Sequence, residues 1–139
     1  MRSQAGFTFT ELLTVATILA MMAAVAAPRY AMINSDTRSQ SVRSLAANVQ
    51  SSASLSHKVW KATGRPVRLT LDGRTVDMRY GYPTDASIED LVVMSGDFEF
   101  VDGYWKHRES DSGRKCAVLY IPPPRPDADA SVITYTDGC

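Results

Sequence analysis

One carboxylate sits inside a membrane-length apolar stretch. Met1 to Gly6 is a short polar leader with one basic residue, Arg2. From Phe7 to Ala27 the chain is apolar, closed by Pro28, and its single charge is Glu11. As a helix this stretch would be about 31 Å long, enough to cross a bilayer. A carboxylate near the bilayer centre costs roughly 2.5–3.5 kcal/mol or more, and a place near the segment's end only softens that cost. Such a chain must be an anchor or an exported precursor, and something should neutralise Glu11.

The segment does not read as an ordinary secretory signal. In such signals the small-residue cleavage site follows the apolar run. Here Gly6 precedes the run, and Ala26-Ala27 is followed directly by proline. Ala16, Ala20, Ala23 and Ala27 recur at spacings of four, three and four, a small-residue stripe that lets helices approach closely. Thr10, Thr14 and Thr17 form a second stripe, whose hydroxyls can bond their own backbone or a neighbouring helix. A plain single-span anchor with alanines by composition is the simpler account. A helix that packs against copies of itself is the sharper one.

Gly6-Phe7-Thr8-Phe9-Thr10-Glu11-Leu12-Leu13, followed by an apolar helix and Pro28, resembles the N-terminus of type IV pilins and pseudopilins. The resemblance implies that a prepilin peptidase cuts between Gly6 and Phe7 and that Phe7 becomes an N-methylated N-terminus. It further implies that Glu11 pairs with the terminal amine of a neighbouring subunit during assembly. The implied partners are copies of the chain in a helical filament, the peptidase and the pilus assembly machinery. The implied location is the inner membrane, then an extracellular pilus. The single basic residue of the leader and the threonines on the helix depart from the family's usual pattern.

Beyond Pro28 the pattern turns amphipathic. Pro28 donates no backbone hydrogen bond and crowds the preceding turn, so it kinks or interrupts the helix; residues 7–63 are expected as one long helix with a break or weak point near Pro28. Val42, Leu45, Ala46, Val49, Ala53 and Trp60 recur at helical spacing. Gly64 and Pro66 end the helix. The expected organisation is a leader (1–6), a transmembrane and filament-core helix (7–28), an amphipathic continuation (29–63) and a head (64–139).

The head reads as antiparallel sheet. Val67 to Leu71 alternates, Asp72-Gly73 is a two-residue hairpin signal, and Arg74 to Tyr80 alternates again. That register sets Leu69 opposite Val76, Val67 opposite Met78 and Arg68 opposite Asp77. Asp102-Gly103 makes a second turn, with Phe100 opposite Trp105 and Glu99 opposite Lys106. Cys116–Ile121 and Val132–Tyr135 read as further strands, and Ser87–Met94 as a short helix capped by Ser87. The fold class is therefore α+β: a long N-terminal helix with a hydrophobic first half, its second half packed on an antiparallel sheet of about four or more strands.

Two cysteines, Cys116 and Cys139, stand behind an export-like segment. That reads as one disulfide formed in an oxidising compartment, two buried thiols being the alternative. The bridge would close a loop of about 24 residues and stabilise by roughly 3–4 kcal/mol. Between the cysteines, Pro122, Pro123, Pro124 and Pro126 impose an extended, strand-free surface segment. This arrangement resembles the disulfide-bounded C-terminal loop of type IV pilins. Ala27-Pro28-Arg29-Tyr30 and Gly81-Tyr82-Pro83-Thr84 resemble the mannose-sensitive haemagglutinin class.

Nothing in the head points to catalysis. The 139 residues carry a net charge of zero, so the overall balance favours neither nucleic acid nor an acidic partner. His57 and His107 lack ligand spacing. Asp127, Asp129 and Asp137 match no complete calcium loop. Glycine-loop and nucleophile motifs are missing. Arg65, Arg68, Arg74 and Arg79 could meet phosphates, but Asp72 and Asp77 are interleaved and surface pairing is the simpler account. Tyr104 and Trp105 could stack on a sugar or base, with packing as the alternative. The expectation is a non-enzymatic structural subunit without cofactor or metal. It would build a type IV pilus for adhesion, motility or attachment. A pseudopilin of a type II secretion system and a minor pilin of a DNA-uptake pilus are the other members of the family to weigh. A signal-anchored periplasmic enzyme or binding module is the contrasting class.

Overall fold

The computed structural model describes residues 8–110 and 115–139. A single long helix, α1, spans Phe9–Ala62. The chain divides into two compact units, one ending at Asp36 and one covering Thr37–Cys139, with α1 running through both.

In the first unit every described residue from Thr8 to Tyr30 is exposed. The one long helix expected over 7–63 is there as Phe9–Ala62, and it continues through Pro28 without interruption, so the proline does not divide it. Proline removes one intrahelical hydrogen bond and crowds one turn. The helical turns on either side keep their own bonds, so the missing bond does not end the helix.

The second unit has a core. Val42, Leu45, Ala46, Val49 and Ala53 of α1 are buried on one face, as their spacing predicts. Ser56 is buried on the same face and returns its hydroxyl to the Ala53 carbonyl at 2.9 Å. The end of α1 is a glycine cap. Gly64 takes φ +86°, and the Arg65 amide bonds the Trp60 carbonyl at 3.0 Å, closing the six-residue Schellman ring.

Two antiparallel sheets meet this face, where one sheet was expected. The first has the order β1-β2-β3, with β1 Arg68–Leu71, β2 Arg74–Arg79 and β3 Tyr82–Pro83. The second has the order β4-β5-β6-β7, with β4 Phe98–Val101, β5 Tyr104–His107, β6 Ala117–Ile121 and β7 Ser131–Tyr135. Leu69 lies opposite Val76, Arg68 opposite Asp77, Phe100 opposite Trp105 and Glu99 opposite Lys106, the registers read from the two Asp-Gly turns. Both residues of each turn have positive φ, which the tight mirror-image turns of two-residue hairpins require. Tyr80-Gly81 makes a third turn of the same kind and adds β3 to the first sheet.

Each sheet has its own apolar cluster. Ile88, Val92, Phe98, Trp105, Val118 and Tyr120 join the α1 face and the cysteines in the larger one. Leu69, Val76 and Met78 form the smaller one, against Val59 and Trp60. Val67 stays 80 % exposed, beyond the point where β1 begins. The expected short helix shrinks to a 3-10 turn, Ile88–Leu91. Ser87 does not cap it; its hydroxyl donates instead to the Asp77 carbonyl at 3.0 Å and so ties the turn to β2.

The Cys116–Cys139 disulfide is formed, with Cα atoms 4.8 Å apart. Both sulfurs belong to the larger core cluster. The Arg38 Nε donates to the Cys139 carbonyl oxygen at 2.7 Å and the Ser110 hydroxyl to the Gly138 carbonyl at 3.0 Å. The proline-rich connection between β6 and β7 is strand-free, as its composition requires, yet Pro123 is fully buried rather than on the surface.

Candidate functional site

The first candidate is the start of α1. Thr8-Phe9-Thr10-Glu11 has the Thr-x-x-Glu spacing of a capping box. The Thr8 amide donates to Glu11 Oε2 at 2.8 Å, the Thr8 hydroxyl donates to the same oxygen at 2.9 Å, and the Glu11 amide faces Thr8 Oγ1 at 3.3 Å. The carboxylate also lies over the positive end of the helix dipole. Sequence reasoning missed this box because Thr8 was read within the cleavage motif and not as a cap. Gly6 and Phe7, the residues expected for leader cleavage and N-methylation, lie outside the described residues.

The threonine stripe turns inward on its own helix. Thr14 Oγ1 donates to the Glu11 carbonyl at 2.9 Å and Thr17 Oγ1 to the Thr14 carbonyl at 2.8 Å. The hydroxyls are thereby satisfied without a neighbour, which lowers the cost of threonine in an apolar medium. Ala16, Ala20, Ala23 and Ala27 are exposed, as are Leu12, Leu13, Ile18 and Leu19. α1 is long and apolar enough in this part to cross a membrane. An exposed apolar helix needs lipid or protein around it.

The head contributes polar groups, most of them already engaged. Arg68 pairs with Asp77 at 2.8 Å, Arg74 donates to the Asp90 carbonyl, and Arg79 lies over the Tyr80 ring at 5.5 Å. The arginine cluster is thus engaged within the head, Arg68 and Arg79 on the hairpin, Arg74 on the 3-10 turn and Arg65 over the Trp60 ring at 5.8 Å. Trp105 is fully buried and His107 nearly so, with the Phe98 ring edge-on to His107 at 5.2 Å. Trp105 therefore packs in the core and presents no face to a ligand. Asp129 accepts the Tyr82 hydroxyl at 2.9 Å, and among the described residues no three His, Cys, Asp or Glu side chains converge on a metal-sized space.

Burial, assisted by the nearby Asp129 carboxylate, raises the Tyr82 hydroxyl above its ordinary pKa. Burial raises that of Tyr120 further, with smaller contributions from Tyr82 and Asp85.

Among protein families, the prokaryotic N-terminal methylation motif matches residues 1–27. No curated protein and no solved structure matches the chain. The motif and the exposed apolar helix support the type IV pilin superfamily. Together with the α+β fold they support a structural subunit of the pilin or pseudopilin kind, associated with a membrane and built to oligomerise.

Proposed function

We propose that this chain is a structural subunit of a type IV pilus filament. In this reading residues 1–6 are a leader removed between Gly6 and Phe7 at the inner membrane, and Phe7 is N-methylated. Residues 7–28 hold the precursor in lipid and then form the filament core. Residues 29–63 carry the head, residues 64–139, to the outside. The observation that carries the reading is an apolar helix, fully exposed along its first part, whose one carboxylate lies within a methylation motif that matches residues 1–27.

The physical logic is a change of partner. In the single chain Glu11 is held by Thr8. In a filament the new terminal amine of a neighbour offers an opposite charge in a medium of low dielectric, where a close pair is strong. The alanine stripe lets neighbouring helices approach closely enough to bring the two together. The short segments Ala27-Pro28-Arg29-Tyr30 and Gly81-Tyr82-Pro83-Thr84 favour the mannose-sensitive haemagglutinin class within the superfamily.

Mass spectrometry of filaments sheared from cells tests the proposal. An abundant peptide beginning with N-methyl-Phe7 is expected. Absence from sheared filaments, with processed protein retained in the envelope, would instead identify a pseudopilin of a secretion system. Recovery only as a trace component, with loss of DNA uptake on deletion, would identify a minor pilin.

A further inference from the structure

The head contains a cleft of about 590 Å³ that the filament reading leaves without a use. It opens between the end of α1, the β1-β2-β3 sheet and the Pro126–Asp129 segment. Its volume lies in the range of small-ligand sites, roughly 300–1,000 Å³. Part of the lining is aromatic. Tyr82 stacks on His57 with ring centroids 4.1 Å apart and planes 8° apart, and Trp60 follows His57 at 5.8 Å. Nδ1 of His57 lies 2.7 Å from the Gly81 carbonyl oxygen and so donates to it, which in the imidazole form leaves Nε2 as the acceptor nitrogen.

The charged lining has both signs. Lys61 and Arg65 come from the end of α1, Asp127 and Asp129 from the β6–β7 connection. Asp129 spends one oxygen on the Tyr82 hydroxyl and keeps the other. Among the described residues the ion pair found is Arg68–Asp77, and neither Lys61 nor Arg65 has a carboxylate within ion-pair distance; Arg65 lies over the Trp60 ring at 5.8 Å.

We propose that this cleft binds a short acidic saccharide. Sugar hydroxyls donate to Asp127, to the second oxygen of Asp129 and to His57 Nε2. The C–H faces of the ring suit an aromatic and aliphatic lining. A uronate carboxylate completes Lys61 and Arg65 through charge-assisted hydrogen bonds. The competing chemistries fit worse. A lipid tail would bury four charges without partners. A nucleic-acid backbone would meet two carboxylates. A bare inorganic anion would use the cations alone. The inference does not rest on filament assembly.

The full-length chain in detergent micelles, titrated with digalacturonate, with its neutral counterpart digalactose and with inorganic phosphate, tests it by calorimetry and ligand-observed NMR. Digalacturonate should bind saturably, and digalactose and phosphate at least about tenfold more weakly. Arg65→Gln with Lys61→Gln should lower digalacturonate affinity about tenfold and leave digalactose unchanged, whereas Asp127→Ala should weaken both sugars. All three side chains are exposed, so the fold should persist and near-ultraviolet circular dichroism would verify it. Absence of saturable digalacturonate binding overturns the proposal. So does equal affinity for the neutral sugar, or affinity that survives the double substitution.

Discussion

Thr8 and Glu11 satisfy each other at the first turn of α1: amide and hydroxyl of Thr8 both donate to one Glu11 oxygen, at 2.8 and 2.9 Å. The carboxylate that looked unprovided for in an apolar segment thus has a partner within its own chain. Any neighbouring amine must compete with that partner, and the two roles of Glu11 can be separated.

Glu11→Gln keeps a side chain that can complete a capping box but removes the charge. Thr8→Val removes the cap, at about 1 kcal/mol of helix stability, and leaves the charge. Filament yield should fall severely in Glu11→Gln, and likewise in Glu11→Ala, while leader cleavage continues. Thr8→Val should assemble much closer to the wild type. Immunoblots of sheared and envelope fractions, with the mass of the N-terminal peptide, read both steps. Normal piliation in Glu11→Gln would falsify pairing through charge.

Gly81 and Gly73 occupy equivalent turn positions, with φ of +85° and +79°, but different surroundings. A Cβ on Gly73 meets nothing within 4 Å, whereas one on Gly81 would lie 2.6 Å from the Trp60 ring and 2.9 Å from His57 Nδ1. Gly73→Ala should therefore cost only the backbone term, about 1 kcal/mol. Gly81→Ala adds a collision with ring atoms held by the Trp60–Pro66 hydrogen bond, for a total of roughly 2–4 kcal/mol. Urea unfolding of the two variants compares them. Equal losses would show that the turn does not lock onto α1.

The difference between these two glycines also marks what the sequence could and could not tell. Asp72-Gly73 and Asp102-Gly103 announce their hairpins locally, because the turn chemistry and the alternation on either side agree on one register. Tyr80-Gly81 carries no such signal. Tyrosine is a poor turn residue, and β3 has only two residues, one of them proline. What makes that turn form is the packing of Gly81 on Trp60 and His57, twenty-one and twenty-four positions earlier in the chain, and a pattern read along the chain does not register it. The same reasoning covers the cleft, whose lining comes from three separated segments. By contrast Glu11, the alanine stripe and the α1 core positions are spaced along one helix, where periodicity is legible. The division of the strands into two sheets was not legible, since each hairpin signal is local and neither specifies which strands pair beyond it.

Replacing Cys139 with serine removes a bridge across 23 positions and should cost about 3 kcal/mol in the chain-entropy account. The loss falls on the core itself, because both sulfurs sit within the larger apolar cluster. Arg38 and Ser110 hold Cys139 and Gly138 by backbone carbonyls, so the chain end should stay docked at low denaturant and come away early in the transition. Guanidinium unfolding of wild type under oxidising and reducing conditions, beside Cys139→Ser, tests this. An unchanged midpoint on reduction would show that the bridge does not stabilise the head.

The last prediction concerns Tyr120, whose hydroxyl donates to the Pro83 carbonyl at 2.8 Å inside the core and so ties the second sheet to the first. Burial is the main cause that holds its pKa above the ordinary tyrosine value, which is about 10 in an unfolded chain. Below that value both states keep the proton, and the tyrosine's contribution is fully present. Above it the unfolded chain gives up the proton first, so stability falls as pH rises, until the folded form also ionises. The slope from this one group is at most about 1.4 kcal/mol per pH unit. Tyr82, raised in the same direction, adds a smaller share. Tyr120→Phe should be less stable near neutrality by roughly 1–3 kcal/mol, because the Pro83 carbonyl loses its donor in a buried place. It should also lose less stability than the wild type between about pH 10 and 12, so the gap between the two narrows there. Denaturant midpoints across that range, with tyrosinate absorbance recorded in parallel, decide it. Parallel alkaline slopes in the two proteins would mean that Tyr120 ionises as easily folded as unfolded, and that its hydrogen bond to Pro83 does not hold the two sheets together.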